Sequence, residues 1–167
     1  AYHVPLAGGV GEASDVSKYA DVAHLNPGLL EELLPGPITL LLRRKTDDTP
    51  LSSALNPDAA LLGVRVPDSE FIRAVARAYG HAIALTSANP SGKPSTLAVE
   101  EFEHLWSECA CVFDGGRIAA TRAGSTIVDL SVPGAFSVRR AGEACEASQE
   151  TLRRHGIEPT HGAGAGE

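Results

Sequence analysis

A chain of 167 residues with 43% apolar and 21% charged side chains has the make-up of one folded globular domain and excludes a wholly disordered polypeptide. The formal charge of −7 argues against a generally basic surface of the kind that coats nucleic acid, although net charge leaves local patches open. No stretch approaches the roughly 18 uninterrupted apolar residues of a membrane span, and the start, Ala1-Tyr2-His3-Val4-Pro5, lacks the basic-then-apolar layout of a secretory signal, so the chain reads as soluble.

In chain order, Val16, Tyr19, Ala20 and Ala23 fall at helical spacing within Asp15 to Ala23. Asn26-Pro27 then offers a helix cap followed by a proline at the first helical position. Leu33-Leu34-Pro35-Gly36-Pro37 stops that second helix, and Ile38-Thr39-Leu40-Leu41-Leu42 is an apolar run of strand length, predicted to be buried. A polar loop leads to a second strand, Leu61 to Val66, cut off by Pro67, after which Asp68 is expected to cap a helix. Phe71, Ile72, Val75, Ala76 and Tyr79 share one face of that helix, and Gly80 ends it. His81 to Ser87 is expected as a third strand that runs into the turn-rich Ala88-Asn89-Pro90-Ser91-Gly92. Val99, Phe102 and Trp106 mark a further helix, and Cys111-Val112-Phe113 a short strand before Asp114-Gly115-Gly116. Ser125 to Leu130 and Phe136 to Arg140 are strands joined by a turn at Pro133-Gly134, and Ala147 to His155 is a terminal helix.

Strands alternating with single helices indicate an α/β fold, and the directly successive last two strands indicate a mixed sheet. The expected organisation is one domain over residues 1–157 followed by a flexible tail at 158–167, where apolar surface is scarce.

Cys109, Cys111 and Cys145 cannot all pair within the chain, and Cys109-x-Cys111 lacks the two-residue gap usual in zinc sites. His104 sits on a predicted helix beside Trp106, and no fourth ligand lies at useful spacing. The expectation is buried free thiols in a reducing compartment and no structural metal.

Arg43-Arg44-Lys45, Arg117, Arg122 and Arg139-Arg140 fall near predicted strand ends, while Glu31, Glu32, Glu100, Glu101 and Glu103 fall on helices. That segregation suits an anionic small ligand. Arg65 lies inside an apolar strand, where an unpaired guanidinium is costly to desolvate. Two partners remain open for it: a ligand carboxylate held bidentately, or an internal carboxylate such as Asp129. Thr86-Ser87-Ala88-Asn89-Pro90-Ser91-Gly92-Lys93-Pro94-Ser95 leaves a strand end with hydroxyls and an amide. It suits a small-ligand loop, but an ordinary turn is the commoner cause of such composition, by about two to one. Gly124-Ser125-Thr126 sets two hydroxyls after a glycine at a strand start. Alternation sends Arg139 and Arg140 to opposite faces, so that one could reach a phosphate while the other is solvated; two surface arginines is the commoner outcome.

Five of these blocks occur in one order: Leu34-Pro35-Gly36-Pro37-Ile38-Thr39, Gly63-Val64-Arg65-Val66-Pro67, Thr86-Ser87-Ala88-Asn89, Asp114-Gly115-Gly116 and Gly124-Ser125-Thr126-Ile127-Val128-Asp129. In that order, over about Pro5 to Gly142, the chain resembles the YrdC/Sua5 family, and the run into Leu130-Ser131-Val132-Pro133-Gly134 is most similar to animal YrdC proteins. The resemblance implies a single YrdC-like domain with a twisted mixed sheet flanked by helices. It implies a threonylcarbamoyl-AMP synthase, a nucleotidyltransferase that joins L-threonine, bicarbonate and ATP and releases pyrophosphate. The product would serve t6A modification of tRNA through a downstream threonylcarbamoyl transferase complex, in the cytoplasm, with mitochondria left open as a second location. Carried over by position, Arg65, Ser87 and Ser125 would contact threonine, and Asn89, Ser95 and Arg140 the nucleotide. Mg²⁺ is expected with ATP, without protein ligands. Ala141 stands where the family's Arg-Pro-Gly block has proline.

The family also carries a Pro-Thr-Asp-Thr-like block and a Lys-x-Arg block ahead of the Pro-Leu that Pro5-Leu6 matches. Neither is in this chain, so the expectation is a domain without its N-terminal strand, with no catalytic residue assigned. The competing reading is a non-catalytic module that binds nucleotide or double-stranded RNA, whose signature would be a steep salt dependence.

Overall fold

The computed structural model describes residues 6–90, 93–118 and 122–160. They form two compact units, one of Ala1–Leu85 with Ser125–Glu167 and one of Thr86–Gly124.

The first unit is built on a seven-stranded sheet: β1 (Ala7–Gly9), β2 (Ile38–Arg43), β3 (Leu61–Arg65), β4 (Ile83–Leu85), β5 (Thr126–Asp129), β6 (Ala135–Arg140) and β7 (Glu158–Pro159). The order across the sheet is β4-β1-β3-β2-β5-β6-β7. β1 runs parallel to β3 and antiparallel to β4, while β2 is antiparallel to β3 and parallel to β5. The sheet is therefore mixed, as the sequence predicts.

β2 sits at the centre, and every residue from Ile38 to Leu42 is buried, which is why its sequence is a continuous apolar run rather than an alternation. Leu40, Leu42, Leu62, Val64, Val128 and Phe136 from the sheet meet Val16, Tyr19, Leu29, Leu33 and Leu152 from the covering segments in one core. Each such side chain contributes about 1.5–3 kcal/mol by leaving water.

The described residues of this unit include the helices α1 (Leu29–Leu33), α2 (Glu70–Tyr79) and α3 (Cys145–Arg154). α2 ends at Gly80, whose φ of 78° no β-carbon favours. Its cap residue is Ser69 rather than Asp68, without a side-chain cap bond. Of its apolar face only Ala76 is buried, and the helix is tied down by Arg73 and Arg77, both ion-paired at 2.8 Å with Glu12. A β-carbon at Gly11 would come within 2.6 Å of Arg77 Cγ, so that pairing needs the bare backbone there.

Several expectations change. The first predicted helix is a 3-10 helix, Ala13–Lys18, and the strand expected from His81 to Ser87 is limited to Ile83–Leu85. Residues 158–160, expected to belong to a tail, pair with the sheet. Glu158 N–H donates to Gly134 O at 3.1 Å and Thr160 N–H to Phe136 O at 2.8 Å, because strand pairing uses backbone groups and needs no apolar side chains. Residues 161–167 lie outside the described residues.

In the second unit, Val99–Glu108 is a 3-10 helix broken at Phe102 (φ −125°, ψ 28°). Cys111-Val112-Phe113 forms no strand. Cys109 and Cys111 are exposed rather than buried, and Cys145 is half-buried. A short apolar run becomes a strand only where its backbone pairs with another strand in register, and residues 111–113 are not so paired. Among the described residues no helix is long and apolar enough to cross a membrane, and no group of three His, Cys, Asp or Glu could hold a metal ion.

Candidate functional site

Where β3, β2, β5 and β6 end or begin together, the register gathers polar side chains onto one row. Leu40 lies opposite Val64, which brings Arg65 level with Thr39. Thr39 lies opposite Ile127, and Ile127 opposite Arg140.

Ser125, just before β5, is only 8% exposed and follows Gly124, whose φ of 69° turns the chain into the strand. Its carbonyl accepts hydrogen bonds from Arg140 Nε at 3.0 Å and Nη2 at 2.8 Å, and its Oγ accepts a third from Nη2 at 3.0 Å. The same Oγ lies 3.0 Å from the Thr39 hydroxyl. Gly142 N–H reaches Thr126 Oγ1 at 3.2 Å, so the turn after β6 closes over this row although Ala141 replaces the proline of the resembling family.

Arg65 is different in kind. Its Nε is buried and has no hydrogen-bond partner. Burial and, secondarily, the nearby positive charge of Arg140 push its pKa below the ordinary arginine value. A guanidinium stays charged under such pressure, so the position is an unmet demand for an anion.

The internal partner left open for Arg65, Asp129, is engaged elsewhere. Arg139 holds it through Nη2 at 2.7 Å and Nε at 3.2 Å, and Ser131 N–H donates to it at 2.9 Å. Burial alone would raise the Asp129 pKa, but the Ser131 and Arg139 hydrogen bonds outweigh it and hold the carboxyl below its ordinary value. Alternation along β6 thus sends Arg139 to a buried carboxylate and Arg140 to Ser125. Arg139 is ion-paired where the sequence reading had one of the two arginines solvated.

Most of the other strand-end arginines also serve the fold rather than a ligand. Arg43 Nε donates to Ser131 O, Arg44 donates to the carbonyls of Ser52, Leu55 and Asn56, and Arg122 pairs with Glu101 at 2.6 Å.

The second unit carries Ser87, Asn89 and Ser95. Asn89 Nδ2 donates to Pro90 O at 3.1 Å and Lys93 O at 2.8 Å, which is turn chemistry, yet its Oδ1 is buried without a partner. Ser95 contributes its carbonyl to Arg122 at 2.7 Å, and Ser87 is exposed. Ser91 and Gly92 lie outside the described residues.

The residue that sequence reasoning missed is Thr39. Its signal was a hydroxyl inside an otherwise apolar run, and a buried polar group needs a partner.

Residues 1–142 match the family model Sua5_yciO_yrdC, described as telomere recombination. The threonylcarbamoyl-AMP synthase of Bos taurus is 43% identical over 164 residues, 95% of this chain and 58% of that protein. That of Homo sapiens is 43% identical over 163 residues, 94% of this chain and 57% of its own. The chain therefore spans under three fifths of the length of these curated relatives. Among solved structures, Sua5 of P. abyssi complexed with L-threonine superposes with a TM-score of 0.71 at 25% identity, over 93% of this chain and 45% of that one.

Proposed function

Since the chain belongs to the Sua5/YciO/YrdC family, we propose that it binds L-threonine at Arg65 and forms threonylcarbamoyl-adenylate and pyrophosphate from L-threonine, bicarbonate and ATP. The observation that carries this reading is the buried, unpartnered Nε of Arg65. It stands beside a hydroxyl and a second guanidinium in a chain whose curated relatives are named threonylcarbamoyl-AMP synthases.

The chemistry asks for charge placement more than for a strong acid or base. The threonine amine attacks bicarbonate carbon and water is lost, giving a carbamate. A carbamate oxygen then attacks the α-phosphorus of ATP, and pyrophosphate leaves with the electrons of the broken P–O bond. A protein accelerates such steps by fixing the reactants and offsetting the charge that builds up. Arg65 would take the threonine carboxylate in a charge-assisted pair. Ser125 would donate to the same amino acid, and Arg140, already on Ser125, would face the adenylate phosphate. For the second unit the family assignment gives Ser87 to threonine and Asn89 and Ser95 to the nucleotide. Mg²⁺ would arrive on the phosphates of ATP as part of that substrate. The product would then supply t6A modification of tRNA through a threonylcarbamoyl transferase complex.

The RNA-binding alternative finds less support, because Arg43, Arg44, Arg73, Arg77, Arg122 and Arg139 are held by internal carbonyls or carboxylates.

The test is incubation of the chain with labelled L-threonine, bicarbonate, ATP and Mg²⁺, with chromatography for the adenylate and calorimetry for threonine affinity, beside Arg65→Ala. The variant is expected to lose threonine affinity on the order of 10- to 100-fold, the worth of a charge-assisted hydrogen bond, while keeping its melting temperature. Equal affinity in the two proteins would remove Arg65 from the site.

A further inference from the structure

From the hydroxyl pair at the start of β5 and β2, we infer that Thr39 is a positioning residue for the bound amino acid. It holds the Ser125 hydroxyl so that the Ser125 proton is donated outward, to an acceptor oxygen of the substrate. The inference rests on the function proposed above.

The argument is a count of protons and lone pairs. A serine hydroxyl has one proton to give and two lone pairs to receive. Arg140 Nη2 takes one lone pair of Ser125 Oγ at 3.0 Å. Thr39 Oγ1 lies 3.0 Å away on the other side, and either oxygen of that pair could be the donor. Thr39 is 5% exposed, and among the described residues Ser125 Oγ is the hydrogen-bond partner of its hydroxyl. If Ser125 gave its proton to Thr39, the Thr39 proton would be stranded in a dry interior, which costs the full desolvation of a donor. If Thr39 donates instead, both lone pairs of Ser125 Oγ are filled and its own proton is left over. An oxygen receiving two hydrogen bonds, one of them from a cation, is also a stronger donor.

Thr39 is fixed in this pose from its other side. A β-carbon built on Gly63 would meet Thr39 Cγ2 at 3.4 Å and Leu41 Cδ2 at 3.5 Å, so the threonine methyl lies against bare β3 backbone. A β-branched side chain with its methyl seated has little freedom to turn its hydroxyl away. The strand therefore presents one hydroxyl direction, and Ser125 inherits it.

Thr39→Val keeps the shape and removes the hydroxyl. L-threonine affinity, measured by calorimetry on wild type, Thr39→Val, Ser125→Ala and the double variant, with melting temperatures alongside, tests the assignment. Thr39→Val is expected to bind on the order of tenfold more weakly, Ser125→Ala similarly, and the double variant no more weakly than Ser125→Ala, because Thr39 acts through Ser125. Thr39→Ser, which keeps the hydroxyl but not the methyl that aims it, should bind more tightly than Thr39→Val and recover most of the lost affinity, an outcome that a purely packing role for Thr39 does not give. Wild-type affinity in Thr39→Val, or losses that multiply in the double variant, overturns the inference and leaves the proposed function standing. Absence of threonine binding by the wild type overturns both. Should Thr39→Val fail to fold, Thr39→Ala against Thr39→Ser carries the same comparison, with equal affinity of those two as the contrary result.

Discussion

Asp129 is 6% exposed and still ionised, because Ser131 N–H and the Arg139 guanidinium both donate to it. Asp129→Asn removes the charge that accepts from Ser131 N–H and Arg139, so it is expected to cost about 1–3 kcal/mol. Its pH signature has a definite sign. The folded carboxyl titrates below its unfolded value, so its stabilising contribution is complete above about pH 4 and is lost as pH falls through the lower folded value. Melting temperatures of wild type and Asp129→Asn should differ most near neutrality and converge in acid; a gap that stays constant down to pH 3 would refute the assignment. Arg65 shows the contrasting case of a charge with no internal match. It was legible in the sequence because a lone arginine in an apolar strand demands an explanation. The choice between its two partners was not legible, since only the register shows that Arg139, on the strand beside β5, claims Asp129. Thr39 escaped notice for a related reason: a threonine in a strand is ordinary, and its partner is far along the chain.

At the scale of elements, long apolar runs and glycine stops read true. β2, β3, α2 with its Gly80 terminus, and the β5-turn-β6 hairpin follow directly from periodicity and turn chemistry. The elements that failed are those whose existence depends on a neighbour. Cys111-Val112-Phe113 has strand composition and, among the described residues, is in none of the sheet's strands. Glu158–Pro159 has the composition of a tail and becomes β7 because Ala135 and Phe136 offer an open edge. Ending the chain after Ile157 removes the hydrogen bonds from Glu158 N–H and Thr160 N–H, so a loss of roughly 1–3 kcal/mol is expected for two backbone bonds. That corresponds to a melting temperature lower by about 2–12 °C. An unaltered melting curve would return residues 158–160 to the status of a tail.

For the whole molecule, the charge of −7 conceals how the cations are used. Most described arginines neutralise internal carboxylates or carbonyls, which leaves Arg65, in the field of Arg140, as a local positive point on an acidic protein. Two like charges held near each other by a rigid sheet are uncomfortable when nothing lies between them, and they do not discriminate sharply among small anions. Phosphate or sulfate from the surrounding solution should therefore compete for the place proposed for the threonine carboxylate. Threonine affinity measured in phosphate buffer is expected to be weaker than in a zwitterionic buffer of equal pH and ionic strength, whereas mere screening would act equally in both. The choice of buffer is then an experimental variable of the same rank as the choice of substrate.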